Sequence, residues 1–117
     1  FLYASNAFDD DLPYHDPAHP GLVVLPYSLD SNDAKFFHPN GFVRSREMVE
    51  YVEDSLNTLL AEDRPRMLNI GYHLRISGRP GRFPAFEEVL KRLAALGDRI
   101  WVARRDEVAK AFLKATA

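Results

Sequence analysis

The chain contains no cysteine, which removes both a disulfide framework and a thiolate metal site and fits a reducing cytoplasm, where we expect it to work. Charge of one sign is lacking too. Its 15 basic and 17 acidic residues leave a formal net charge of -2, too little to gather nucleic acid or an anionic membrane over the whole surface. No apolar run approaches the roughly 20 residues that cross a bilayer, and the amino terminus does not follow the basic-then-apolar order of a secretory signal. A soluble protein with neither nucleic acid nor membrane as partner is expected. There is no Gly-x-Ser-x-Gly elbow, Walker loop or dinucleotide-binding glycine fingerprint. Phe1-Leu-Tyr-Ala-Ser-Asn6 has no initiator methionine and no polar lead-in, so the chain reads as a piece of a longer polypeptide, entered in the middle of an element.

What is present is enough for one small α/β domain, since 117 residues at 46% hydrophobic content can bury a modest core. Residues 1–5 read as a short strand, and Pro13, Pro17 and Pro20 argue against regular structure from there to Gly21. Leu22-Val-Val-Leu25 is a compact apolar run closed by Pro26, as in a buried strand. From about 46 to 62, Met48, Val49, Val52, Leu56, Leu59 and Leu60 recur at helical spacing. Residues 67–72 read as a strand that delivers His73. A second helix opens at Pro84, shows Phe86, Val89, Leu90, Leu93 and Leu96 on one face and stops at Gly97. A strand over about 99–103 and a last helix with Val108, Phe112 and Leu113 complete the order. Such alternation predicts parallel strands covered by helices, with the site at the strand exits.

Four histidines are candidates for chemistry. His15 and His19 in His-Asp-Pro-Ala-His-Pro have a ligand-like spacing, but Pro17 prevents the helix that would put both on one face. We read that segment as a proline-rich surface loop, and His38 before Pro39 likewise. His73 differs because it ends an apolar run and opens onto Arg75, Arg79 and Arg82. Those guanidinium groups favour a neutral imidazole unless a carboxylate such as Asp30 or Asp33 offsets them. The residues alone leave two readings of His73 equally open: a buried structural histidine, or an acid/base catalyst. The arginines of Gly78-Arg-Pro-Gly-Arg82 either grip an anionic group or pair with Glu87 and Glu88, and local pairing is the default. Asp9, Asp10, Asp11, Asp30 and Asp33 sit where aspartates commonly satisfy their own turns.

Four blocks stand in a telling order: Ser5-Asn-Ala-Phe-Asp-Asp-Asp-Leu-Pro-Tyr14; Leu25-Pro-Tyr-Ser-Leu-Asp-Ser-Asn-Asp33; Gly71-Tyr-His-Leu-Arg75 with Gly78-Arg-Pro-Gly-Arg82; and Arg99-Ile-Trp-Val-Ala-Arg-Arg105. Together they resemble the polysaccharide deacetylase, or NodB-homology, superfamily. More narrowly, they resemble the carboxyl-terminal half of its allantoinase-like branch, the urate-catabolism members. The resemblance implies that residues 1–117 form one segment of a distorted (β/α) TIM-like barrel, with three to four strands and their covering helices. It also implies hydrolysis of carbon–nitrogen bonds other than peptides, in this branch those of a ureide such as allantoin or a related cyclic amide.

By that resemblance His73 matches the late-motif histidine that protonates the leaving nitrogen, and Asp9 to Asp11 match a segment lining the substrate groove. Tyr27, Asp30, Asn32 and Asp33 fall on the adjacent strand exit, so Asp9, Tyr27, Asp30, Asp33, Arg75, Arg79 and Arg82 are the expected substrate contacts. The family's early Asp-Asp motif and its His-x-x-x-His-Pro metal motif belong upstream of Phe1. His15-Asp-Pro-Ala-His-Pro20 imitates the second motif in the wrong order, as a coincidence. No cofactor is expected within this chain, any divalent metal being held by upstream ligands, and the allantoinase-like branch resembles enzymes that dispense with it. Expected partners are the amino-terminal half of the same polypeptide, a small-molecule substrate and further copies in a homo-oligomer. The isolated chain is expected to be inactive. Two alternatives are a metal-dependent deacetylase of N-acetylated sugars and a non-catalytic half-barrel that completes a fold.

Overall fold

A computed structural model describes all residues from 1 to 117. In chain order the elements are β1 (Tyr3–Ala4), β2 (Tyr14–His15), β3 (Val23–Val24), a 3₁₀ turn (Asp33–Phe37), α1 (Ser45–Leu60), α2 (Leu74–Ser77), α3 (Phe83–Leu96), a second 3₁₀ turn (Gly97–Arg99) and α4 (Arg105–Ala115). They form two compact units, Phe1–Tyr27 with Trp101–Ala117, and Ser28–Ile100.

In the first unit β3 is the middle strand of the order β1-β3-β2, parallel to β1 and antiparallel to β2. Its apolar run is buried on both faces, as a central strand requires: Val23, Val24 and Leu25 are 0%, 5% and 1% exposed. The parallel ladder continues past the strand ends through Leu25 N–H to Ala4 O and Tyr27 N–H to Ala7 O. Ala109 of α4 packs on Val23 and Leu25, flanked by Leu2, Tyr3, Val108, Phe112 and Leu113. Arg105 braces the same unit by donating from Nη1 to Ser5 Oγ at 2.6 Å and to Leu25 O at 3.1 Å.

The structure corrects the expectation of irregular chain from Pro13 to Gly21. Tyr14 and His15 pair with β3, which is compatible with their flanking prolines because β2 is an edge strand. The hairpin is closed by Asp16, whose Oδ1 accepts from the N–H groups of Ala18 and His19, and by Gly21 at φ 87°, a conformation that favours glycine. The sheet is therefore mixed rather than all parallel.

The second unit is organised by α1 against α3. Val49 and Val52 meet Ala85 and Val89, with Leu56, Ile70, Tyr72 and Leu93 around them, as the helical periodicity predicts. Pro84 stands in the first turn of α3, and Gly97 at φ 51° ends it. Residues 67–72 form no strand, and one parallel bridge, Gly71 to Asn32, stands in place of the expected one. The expected strand over 99–103 does not form either, because the chain first closes a 3₁₀ turn and the following segment finds no ladder partner.

Leu25 tests the first unit's core. Leu25→Ala should destabilise the protein by about 3 kcal/mol in chemical denaturation, the typical cost of emptying a fully buried leucine site.

Candidate active site

Two stretches of chain lie side by side in the second unit, joined by the parallel bridge of Asn32 with Gly71. Gly71 N–H donates to Ser31 O at 2.9 Å, and Asp33 N–H donates to Gly71 O at 3.0 Å. The approach is close enough to need glycine, since a Cβ at Gly71 would run into the side-chain amide of Asn32. Asn32 is fully buried and caps the 3₁₀ turn by accepting from Ala34 N–H at 2.9 Å, while its Nδ2 donates to Ser28 O at 3.2 Å. Ser31 Oγ ties the same stretch to Asn69 O at 2.5 Å. Backbone pairing and capping together hold Asp33 and His73 at adjacent exits.

Asp33 is 0% exposed, and an isolated buried carboxylate is costly. Here it accepts three hydrogen bonds. His73 Nδ1 lies 2.6 Å from Oδ1, while His73 N–H and Ser77 Oγ–H both donate to Oδ2 at 2.7 Å. His73 itself has a half-exposed side chain. With Nδ1 engaged by Asp33, the imidazole offers Nε2 as its outward nitrogen. Such a carboxylate-oriented histidine can carry a proton to or from a bound group.

Tyr72 packs edge-on against Phe86, with ring centroids 4.8 Å apart. Its hydroxyl is buried without a hydrogen-bond partner. Burial first, and then the negative charge of Asp33, pushes the phenol up to about 12.

The structure brings together part of the set expected from the sequence. Asp33 and His73 are in direct contact, and Arg75 and Arg79 follow one turn apart along an open depression lined also by Leu74 and Gly78. The local pairing expected for the loop arginines does not occur: Glu88 pairs with Arg92, and Arg75 and Arg79 have no carboxylate partner. Arg82 is engaged inside the unit, its guanidinium 4.8 Å from the Phe36 ring and 5.5 Å from that of Phe37, with Nη1 on Ile76 O. Asp30 is exposed and interacts with Tyr51, whose hydroxyl is raised first by burial and then by that charge.

Asp9 and Tyr27 belong to the first unit. Asp9 accepts from Tyr14 Oη at 3.0 Å, and Tyr27 meets Phe8 edge-on. Asp10 serves its own turn by accepting from Asp11 and Leu12 N–H, as expected of turn aspartates. Ser77 went unrecognised in the sequence, although its spacing of four from His73 places both on one face once residues 74–77 are helical.

No three His, Asp or Glu side chains converge where a metal ion would sit. His15 Nε2 meets Thr116 Oγ1 at 2.8 Å, and His19 Nδ1 meets Asp16 at 3.2 Å. This chain's donors do not by themselves form a metal site, and no step is derived through one. No helix is long and apolar enough to cross a membrane.

No family model matches the sequence. Over 94% of its length the chain is 32% identical to a Schizosaccharomyces pombe protein assigned as a polysaccharide deacetylase, and it covers 38% of that protein. A crystal structure of a probable polysaccharide deacetylase from Pseudomonas aeruginosa PAO1 aligns with a TM-score of 0.90 at 39% identity, over 97% of this chain and 39% of that one. The crystal structure of PuuE allantoinase aligns with a TM-score of 0.86 at 36% identity, over 94% and 38%. The chain is thus similar to polysaccharide deacetylases and to an allantoinase. It spans about two-fifths of the length of these relatives, and its mixed sheet and helices align with part of their folds.

The orphaned hydroxyl of Tyr72 gives a pH-dependent prediction. A phenol raised above its ordinary value of 10.0 favours the folded state fully below about pH 10, and that contribution is lost as pH rises towards about 12. Tyr72→Phe should keep its stability at neutral pH and lose less of it than the parent between pH 10 and 12, as read by denaturation at each pH.

Proposed function

We propose that this chain contributes the proton donor of a carbon–nitrogen hydrolase of the NodB-homology type, acting on a ureide such as allantoin or a related cyclic amide. The observation that carries the reading is the contact between fully buried Asp33 and half-exposed His73. Water activated by a base outside these residues attacks the carbonyl carbon. As the carbon–nitrogen bond breaks, His73 Nε2 delivers its proton to the departing nitrogen, and the positive charge it held beforehand is stabilised by Asp33 through Nδ1–H. Arg75 and Arg79 are suited to a polar or anionic part of the substrate, with Arg82 behind them on the aromatic pair. Asp30 completes the proposed contacts within the second unit.

In this reading the 117 residues are the carboxyl-terminal part of a distorted (β/α) barrel, and ligands for any metal belong to the remainder of the polypeptide. Likeness to an allantoinase supports the ureide substrate. The names of two other relatives support a second reading, removal of acetyl groups from N-acetylated sugars. In either case this reading assigns the base to the remainder of the polypeptide, so the 117 residues alone should be inactive.

In the complete protein, His73→Ala should lower kcat for allantoin hydrolysis by about 10²- to 10⁴-fold, the usual contribution of a positioned acid. Unchanged turnover would make the chain a non-catalytic half-barrel. Acetate released from chitooligosaccharide, abolished by a chelator and absent with allantoin, would favour the deacetylase.

A further inference from the structure

Helix α2 is a single turn, and one carboxylate engages both of its ends. His73, at its N-cap, meets Asp33 with backbone N–H and Nδ1, and Ser77, four residues on, meets Asp33 Oδ2 with its hydroxyl at 2.7 Å. A helical serine hydroxyl commonly folds back to the carbonyl four residues earlier, here that of His73. In α2 that carbonyl instead accepts the backbone N–H groups of Ile76 and Ser77, and the Ser77 hydroxyl goes to Asp33. Ser77 is 6% exposed, so its hydroxyl meets Asp33 inside the unit. With two donors on Oδ2, the carboxylate is held against rotation, and Oδ1 stays aimed at Nδ1.

We propose that Ser77 is a positioning residue for the proton donor, acting through Asp33 to hold the imidazole of His73 in its working orientation. This rests on the reading of His73 as general acid. Ser77 does not touch substrate in this account, so its loss should affect the rate of the chemical step and leave binding alone. A serine that merely fills space would show no such selectivity.

The test uses the complete protein. Ser77→Ala should lower kcat about tenfold and leave KM within about twofold, the scale of one lost hydrogen bond to a charged group. Added to Asp33→Asn, it should cost little more, because both act through one carboxylate. Ser77→Thr, which keeps the hydroxyl, should recover most of the rate. If the alanine variant does not fold, the threonine variant decides: a folded Ser77→Thr as slow as Asp33→Asn overturns the proposal.

A readout without substrate separates this from the functional reading. In 15N-histidine-labelled protein, Ser77→Ala should shorten the exchange lifetime of the His73 Nδ1 proton, whether or not His73 is catalytic. An unchanged lifetime with unchanged kcat, or full additivity with Asp33→Asn, contradicts the proposal.

Discussion

A carboxylate with no access to solvent holds the candidate site together. Asp33 would be strongly destabilising if left unpaired, so the surrounding chain must deliver donors to it, and it does so from His73 and Ser77 on one short helical turn. The demand works in both directions. The donors that make Asp33 tolerable also fix where His73 can be, which ties stability and proposed chemistry to the same atoms.

Much of the second unit serves that contact. The bridge between Asn32 and Gly71 sets the register of the two stretches that carry Asp33 and His73. Arg82 lies against Phe36 and Phe37 on the turn that begins with Asp33, and its Nη1 reaches Ile76 O in α2. It thereby links the carboxylate's turn to the donor's helix. Packing of α1 on α3 encloses Ile70 and Tyr72, the residues just before His73. Arg75 and Arg79, by contrast, remain free of carboxylates and available to a ligand of opposite charge.

The sequence showed the parts of this arrangement that periodicity or composition can reveal. Helices α1 and α3 were legible because four turns of apolar spacing leave little ambiguity, and β3 because its whole run is apolar. His73 and Asp33 were legible as strand-exit residues, but their contact was one choice among several, since Asp30 stood just as near in sequence. Three features were hidden for a common reason. The two residues of β2, the four of α2 and the single bridge at Gly71 are too short to carry a period, and partners distant in sequence decide them. Ser77 was lost with α2, because a serine in an apparent loop has no face. The strand anticipated at 99–103 failed conversely: its apolar residues suggested burial, yet Trp101 and Val102 are exposed.

The chain's similarity to deacetylases and an allantoinase stands beside one geometric fact, the contact between Asp33 and His73. The claim on which everything else rests is that Nδ1 of His73 holds a proton directed at Asp33, leaving Nε2 to face the substrate. Long-range 1H–15N correlation of the histidine ring in the complete protein reads this directly. The account predicts a protonated Nδ1 throughout the pH range in which the protein is folded, with Nε2 the nitrogen that gains and loses its proton. An Nδ1 that is unprotonated in the neutral ring, with the proton on Nε2, would contradict it.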